Sequence, residues 1–163
     1  MHNILFIGIG KMGFPMAGYL SKEHNISIYN RTKSKCDNWK KKYKGSIIDK
    51  LSENNQKYDF IISCVGNDED LKEITSIDEG CLNSVKEKTI FIDHSTVSPR
   101  IVRQVEKNLG NLGVSFLDAP ISGGQAGAEK GQLSIMIGGS EKAYKRSIEI
   151  LGLYGKKIKY MGP

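Results

Sequence analysis

Three glycines near the start of the chain are spaced for anion chemistry. Gly8, Gly10 and Gly13 follow the apolar run Ile4-Leu5-Phe6-Ile7 in the pattern Gly-x-Gly-x-x-Gly, and Phe14–Leu20 continues with helical character. Gly8 permits a tight turn out of a strand, and Gly10 lets backbone come into contact with a pyrophosphate. Gly13 lets the next helix pack close to the sheet. The N–H groups and dipole at that helix start attract phosphate. Flexible turns share the spacing, but here it sits between a strand pattern and a helix pattern, as dinucleotide binding requires.

A second group follows the next strand. A protein selecting NAD usually presents Asp or Glu to the ribose 2′-hydroxyl about 20 residues past the glycines. Here Asn30-Arg31-Thr32 stands there, beginning 22 residues after Gly8. Without the carboxylate a 2′-phosphate is not repelled. The Arg31 guanidinium can grip it, and Thr32 adds a hydroxyl and helix-start N–H groups. NADP is therefore the expected cofactor, with NAD the second choice; the plainer reading is an exposed arginine beside a helix cap.

Three further segments carry candidate chemistry. Cys64-Val65-Gly66-Asn67 offers small residues and backbone beneath an adenosine ribose or diphosphate. Cys64 reads as a packed thiol, since no base lies near it in sequence. In Asp93-His94-Ser95-Thr96 the lone histidine reads as structural, while Ser95 and Thr96 are better placed for the nicotinamide side. Ser122-Gly123-Gly124, followed by Gly127 and Gly131, can expose consecutive N–H groups to a substrate carboxylate, or can be a long turn.

Alternating elements would position these groups. Strands are expected at Asn3–Ile7, Asn25–Tyr29, Tyr58–Val65, Thr89–Asp93, Val114–Asp118, Leu133–Ile137 and Lys157–Tyr160, with a short one at Ser46–Ile48. Helices are expected at Phe14–Leu20, after a Thr32 cap, from Asn67 or Asp68 to Ile74, from Ser98-Pro99 to Gly110, and over Ser140–Leu151. Asp49–Gln56 reads as a weak helix or loop. Cys36, Trp39 and Tyr43 fall at i, i+3 and i+7, one buried stripe. This alternation predicts one α/β domain with a doubly wound, mostly parallel sheet, whose ligand lies beyond the carboxyl ends of the strands. Every distinctive segment named above falls at such an end.

Composition narrows the partners. The 163 residues carry a formal charge of +6, which admits an anionic partner. The clusters Lys40–Lys42 with Lys44, and Lys156–Lys157 with Lys159, have no alternating aromatics to stack bases, so nucleic acid is not expected. Cys36, Cys64 and Cys81 form no Cys-x-x-Cys and no metal-ligand spacing. No stretch approaches the roughly 20 apolar residues of a membrane span, and no leader pattern opens the chain. The expected setting is the cytoplasm.

Taken together, these motifs resemble the β-hydroxyacid dehydrogenase family, which includes 3-hydroxyisobutyrate dehydrogenase, tartronate semialdehyde reductase and glyoxylate/succinic semialdehyde reductases. The resemblance covers essentially the whole chain. It rests on Gly-Ile-Gly-Lys-Met-Gly-Phe-Pro-Met-Ala at 8–17, Asn-Arg-Thr at 30–32, Cys-Val-Gly-Asn-Asp at 64–68, Asp-His-Ser-Thr at 93–96, Asp-Ala-Pro-Ile-Ser-Gly-Gly at 118–124 and Leu-Ser-Ile-Met-Ile-Gly-Gly at 133–139. It implies that Gly8, Ile9, Gly10, Lys11, Met12 and Gly13 hold the diphosphate, Arg31 and Thr32 the 2′-phosphate, and Thr96 the nicotinamide end. Ser122, Gly123 and Gly124 would meet the carboxylate of a small substrate.

One departure stands out. In that family a long helix bearing the catalytic lysine follows the last strand, and a helical domain then helps close the site and dimerise. This sequence stops at Gly162-Pro163, before that helix should begin, so no lysine here is assigned the proton-donating role. The expectation is a cofactor domain, residues 1–163, with little or no turnover alone. The alternative is a sensing or interaction module that binds NADP(H) without catalysis.

Overall fold

The computed structural model describes all 163 residues. Its elements, in chain order, are β1 (Asn3–Ile7), α1 (Gly13–Ser21), β2 (Asn25–Tyr29), α2 (Lys33–Lys42), β3 (Ser46–Ile47), β4 (Phe60–Ser63), α3 (Asp68–Ile74) and β5 (Ile90–Asp93). These are followed by α4 (Pro99–Gly110), β6 (Ser115–Asp118), β7 (Ile121–Ser122), α5 (Gly124–Glu129), β8 (Leu133–Gly139), α6 (Glu141–Leu151) and β9 (Gly155–Gly162). Short 3₁₀ turns occupy Leu51–Glu53 and Leu82–Ser84.

The order β3-β2-β1-β4-β5-β6 is parallel throughout, so the chain winds outward from β1 in both directions. The switch point falls at β1, between β2 and β4, where the glycine loop emerges. The other flank departs from parallel. β8 runs antiparallel to β6 and to β7, while β9 pairs parallel with β8. Gly138 pairs with both Asp118 and Gly162, and Ser134 with both Ser122 and Lys157. Thus β6 and β7 lie along one side of β8, and β9 forms the sheet edge on the other.

Side-chain alternation splits the core in two. Ile4, Phe6, Phe60, Ile62, Ile90 and Ile92 point to a face shared with Met16, Leu20, Trp39 and Leu151 of α1, α2 and α6. Leu5, Ile7, Ile61, Phe91 and Phe116 point to the face covered by Leu71 and Ile74 of α3 and Ile101, Val105 and Leu109 of α4. Central strands buried on both faces read as continuous apolar runs for this reason.

Several caps match their sequence signals. Asn67 Oδ1 accepts the Asp70 N–H, Ser98 Oγ that of Ile101, and Ser140 Oγ that of Ala143, the bonds that satisfy orphan donors at a helix start. Thr32 is a correction. It holds the cap position of α2, but its hydroxyl makes no cap hydrogen bond. Its carbonyl accepts the Lys35 N–H at 3.2 Å and the Asn30 side-chain amide at 3.0 Å instead, and these bonds shape the turn. Cys36 and Trp39 are buried as the stripe predicts, with Tyr43 half-buried at the C-cap. Trp39 Nε1 donates to the Phe14 carbonyl at 3.1 Å, tying α2 to the first turn of α1.

Candidate functional site

Close packing of the glycine loop dictates its residue types. Gly8 sits at φ +101°, and a Cβ there would meet the Cys64 carbonyl oxygen at 2.2 Å. A Cβ on Gly13 would meet the Gly8 carbonyl oxygen at 1.9 Å. Gly10 differs: nothing lies within 4 Å of its hypothetical Cβ. The N–H groups of Gly10, Lys11 and Met12 find no acceptor within the protein, and the first turn of α1 has no side-chain cap and no acidic residue. Unsatisfied donors at the positive end of a helix beside open space form a cradle for an anion. The loop is braced from β2, since Asn30 Oδ1 accepts the Ile9 N–H at 2.9 Å.

A cleft of about 250 Å³ opens beside this loop. Of the residues predicted for the site it brings together Gly8, Gly10, Asn30, Arg31, Thr32, Cys64 and Val65. Ile9 and Lys11 line a neighbouring groove that shares Gly10 and Lys35. Gly13 is buried beneath the loop. Thr96 lies outside both, exposed beyond the carboxyl end of β5, and so do Ser122–Gly124, exposed where β7 leads into α5. Burial, aided by the nearby Asp93 charge, pushes the Cys64 thiol up to about 12. Cys64 is therefore a protonated packing group.

A buried relay holds the floor of the cleft. Asp93 Oδ1 accepts from Ser63 Oγ at 2.7 Å, Ser95 Oγ at 2.7 Å and the Ser95 N–H at 3.2 Å. Ser95 Oγ in turn accepts the Val65 N–H at 2.8 Å. Burial lifts the Asp93 carboxyl to about 6 against the pull of these donors, and its Oδ2 is buried with no partner. Ser95 thus links β5 to the Val65 loop, and Asp68 accepts both the N–H and the hydroxyl of Ser98. The segment carrying Thr96 is tied at both ends by carboxylates.

His94 is 2% exposed. Its Nδ1 lies 2.6 Å from the Ala119 carbonyl oxygen, which can only accept, so Nδ1 carries the proton. Nε2 then accepts from the Tyr154 hydroxyl at 2.7 Å. Burial lowers the imidazole to about 4, so it is neutral at pH 7. The ring anchors the strand end that leads through Pro120 toward Ser122. There Gly123 and Gly124 adopt φ +132° and +62°, the left-handed region that glycine enters freely.

The family described as the NAD binding domain of 6-phosphogluconate dehydrogenase matches residues 3–162. The chain belongs to that family. This NAD-binding domain is 38% identical over 161 residues to the mitochondrial 3-hydroxyisobutyrate dehydrogenase of Drosophila melanogaster, covering 98% of the domain and 49% of that protein. An uncharacterized oxidoreductase of Shewanella frigidimarina is 38% identical over 164 residues, covering 100% of the domain and 56% of its relative. The structure of Mycobacterium tuberculosis 3-hydroxyisobutyrate dehydrogenase with L-serine is 28% identical and superposes with a TM-score of 0.89, over 99% of this chain and 55% of that one. The domain thus spans about half the length of the relatives it matches.

The NAD-binding domain also holds groups that the sequence reading passed over. Lys35, on the first turn of α2, lines the cleft with Arg31. Asp70, Glu73 and Glu79 line it too, and Asp70 Oδ1 binds the Arg31 guanidinium at 2.8 Å. Lys35 carried a usable signal, since it stands three residues past the α2 cap position. The acidic residues carried none, because nothing in their local spacing shows which groove the segment after β4 overhangs.

Proposed function

We propose that this chain binds a nicotinamide dinucleotide, NADP in preference to NAD, across the carboxyl ends of β1, β2 and β4. In this reading it is the cofactor domain of an oxidoreductase that interconverts a short β-hydroxyacid and its aldehyde or ketoacid. The observation that carries it is the row of acceptor-free N–H groups at Gly10, Lys11 and Met12, opening beside a cleft that contains Arg31. A doubly charged diphosphate satisfies those donors and complements the helix dipole. Arg31 and Lys35, with the Thr32 hydroxyl, supply cationic and donor groups for a 2′-phosphate.

The remaining roles follow the strand ends. Cys64 and Val65 form the wall under the adenosine, positioned by Ser95 and Asp93. Thr96 faces the nicotinamide end, and Ser122, Gly123 and Gly124 meet a substrate carboxylate. The bound nicotinamide supplies the hydride. The proton required at the developing alkoxide is assigned to no side chain of residues 1–163, so the isolated chain should bind cofactor with little turnover. Three free cysteines, of which Cys36 and Cys81 are buried, suit a reducing, cytoplasmic setting.

Titration of the chain with NADPH and NADH tests the reading. Arg31→Ala should weaken NADPH by about tenfold or more, the loss expected for charge-assisted hydrogen bonds, and NADH far less. Equal loss for both cofactors refutes the 2′-phosphate role. Failure of both cofactors to bind refutes the whole assignment.

A further inference from the structure

The end of β2 offers no carboxylate, yet the cleft beside it is not free of negative charge. Asp70, Glu73 and Glu79, all contributed by the segment after β4, line it together with Arg31. Asp70 is firmly placed. Its N–H is held by the Asn67 cap at 2.9 Å, and its Oδ2 accepts the Gly66 N–H at 3.2 Å. Its side chain is 19% exposed, against 71% for Arg31. The carboxylate is therefore the anchored partner, and the long arginine stem is the part free to swing. Their 2.8 Å contact draws the guanidinium from the β2 end onto α3, across the mouth of the cleft.

We propose that Asp70 is a specificity-setting residue of this cleft: by engaging Arg31 and placing a negative charge beside it, Asp70 penalises a ligand with an anionic 2′ substituent relative to one with a 2′-hydroxyl. The inference rests on the cofactor reading above. A ligand with a 2′-hydroxyl leaves the pair intact, with the arginine bridging over the adenosine. A 2′-phosphate must share the guanidinium with Asp70 and sit beside its charge. The fork has donors for both, so the pair attenuates phosphate binding without abolishing it. The carboxylate that β2 lacks is thus supplied from α3, and cofactor choice becomes a balance of Arg31 and Lys35 against Asp70 and its acidic neighbours.

The test compares NADPH and NADH affinities of the wild-type chain with those of Asp70→Asn, Asp70→Ser and Arg31→Ala. Asparagine can still accept the Gly66 N–H, and the Asn67 cap uses backbone, so the fold is kept. Both Asp70 variants should tighten NADPH by about fivefold, the effect of removing one charge about 4 Å away in solvent-like surroundings, with NADH unchanged. If Arg31→Ala is selective for NADPH while the Asp70 variants leave the ratio of affinities unchanged, the inference fails and the cofactor reading stands. Equal weakening of both cofactors by Asp70→Asn would mark Asp70 as mere support for the Gly66 turn, and also overturns it. Non-selective loss in Arg31→Ala removes the 2′-phosphate role of Arg31, and this inference with it, while leaving dinucleotide binding in place.

Discussion

His94 and Tyr154 meet edge-on in the core, imidazole Nε2 to phenol oxygen 2.7 Å apart, with the other ring nitrogen on Ala119. Three segments that are distant in sequence, the end of β5, the end of β6 and the turn before β9, are fastened by one neutral side chain. Tyr154→Phe leaves Nε2 buried without a donor and should cost about 1–3 kcal/mol. His94→Leu also strands the Ala119 carbonyl and should cost more. Urea unfolding at pH 7.5 measures both.

The same histidine sets an acid limit. Its folded value of about 4 lies below an unfolded value of about 6.5, so the unfolded chain binds more protons between the two. Stability from this group is complete above about pH 6.5 and is lost as pH falls toward 4. His94→Gln should remove that loss, read in the pH dependence of the urea midpoint.

Asp93 works in the opposite sense. Its carboxyl, at about 6, lies above the unfolded value of about 3.9, so the folded state binds more protons. Its contribution is largest below about pH 4 and is lost as pH rises through 6. In the wild type this partly masks the His94 effect. Asp93→Asn should therefore make stability rise more steeply between pH 4 and 6.5, and His94→Gln alone should reverse the slope. Parallel profiles for all three proteins would contradict this pairing of buried groups.

The glycine loop separates folding from binding. Gly13→Ala, with its Cβ 1.9 Å from backbone that cannot swing aside, should unfold the chain or lower its stability by about 3 kcal/mol or more, at the upper end of what overpacking costs. Gly10→Ala meets open space and should melt at the wild-type temperature or slightly above, since alanine restricts the unfolded chain. It should nonetheless weaken NADPH, because the methyl group stands where the diphosphate is proposed to lie. Calorimetry and a cofactor titration on the same preparation make the comparison.

α5 is fastened to α1 by a single polar contact, Tyr19 hydroxyl to the Glu129 carbonyl at 2.6 Å. Tyr19→Phe should speed amide exchange in 124–131 while leaving β1–β6 protected, at a cost of about 1 kcal/mol.

Much of this architecture is legible in the sequence because local pattern and global fold agree there. Tyr58–Val65 could only be a strand buried on both faces, though pairing restricts β4 to Phe60–Ser63. Leu133–Ile137 was legible as a strand but not its direction, since side-chain period says nothing about polarity. β7 was invisible: two residues, Ile121 and Ser122, are made a strand only by Ile135 and Ser134 of β8. α5 was hidden in the same way, because three of the eight residues 124–131 are glycine, which propensity assigns to turns. At the site, Gly8, Gly10 and Arg31 announced themselves through spacing. Asp70 did not, because its meeting with Arg31 depends on the arrangement of β1, β2 and β4.

The β9 flank has a colloidal consequence. An uncovered strand edge invites other chains to add to it, ending in fibrils. Lys156, Lys157 and Lys159 stand exposed along this strand, so two copies approaching rim to rim would bring six ammonium groups together. Repulsion among these charges should therefore oppose edge-to-edge pairing in concentrated solution. Its protection should fade as added salt shortens the screening length.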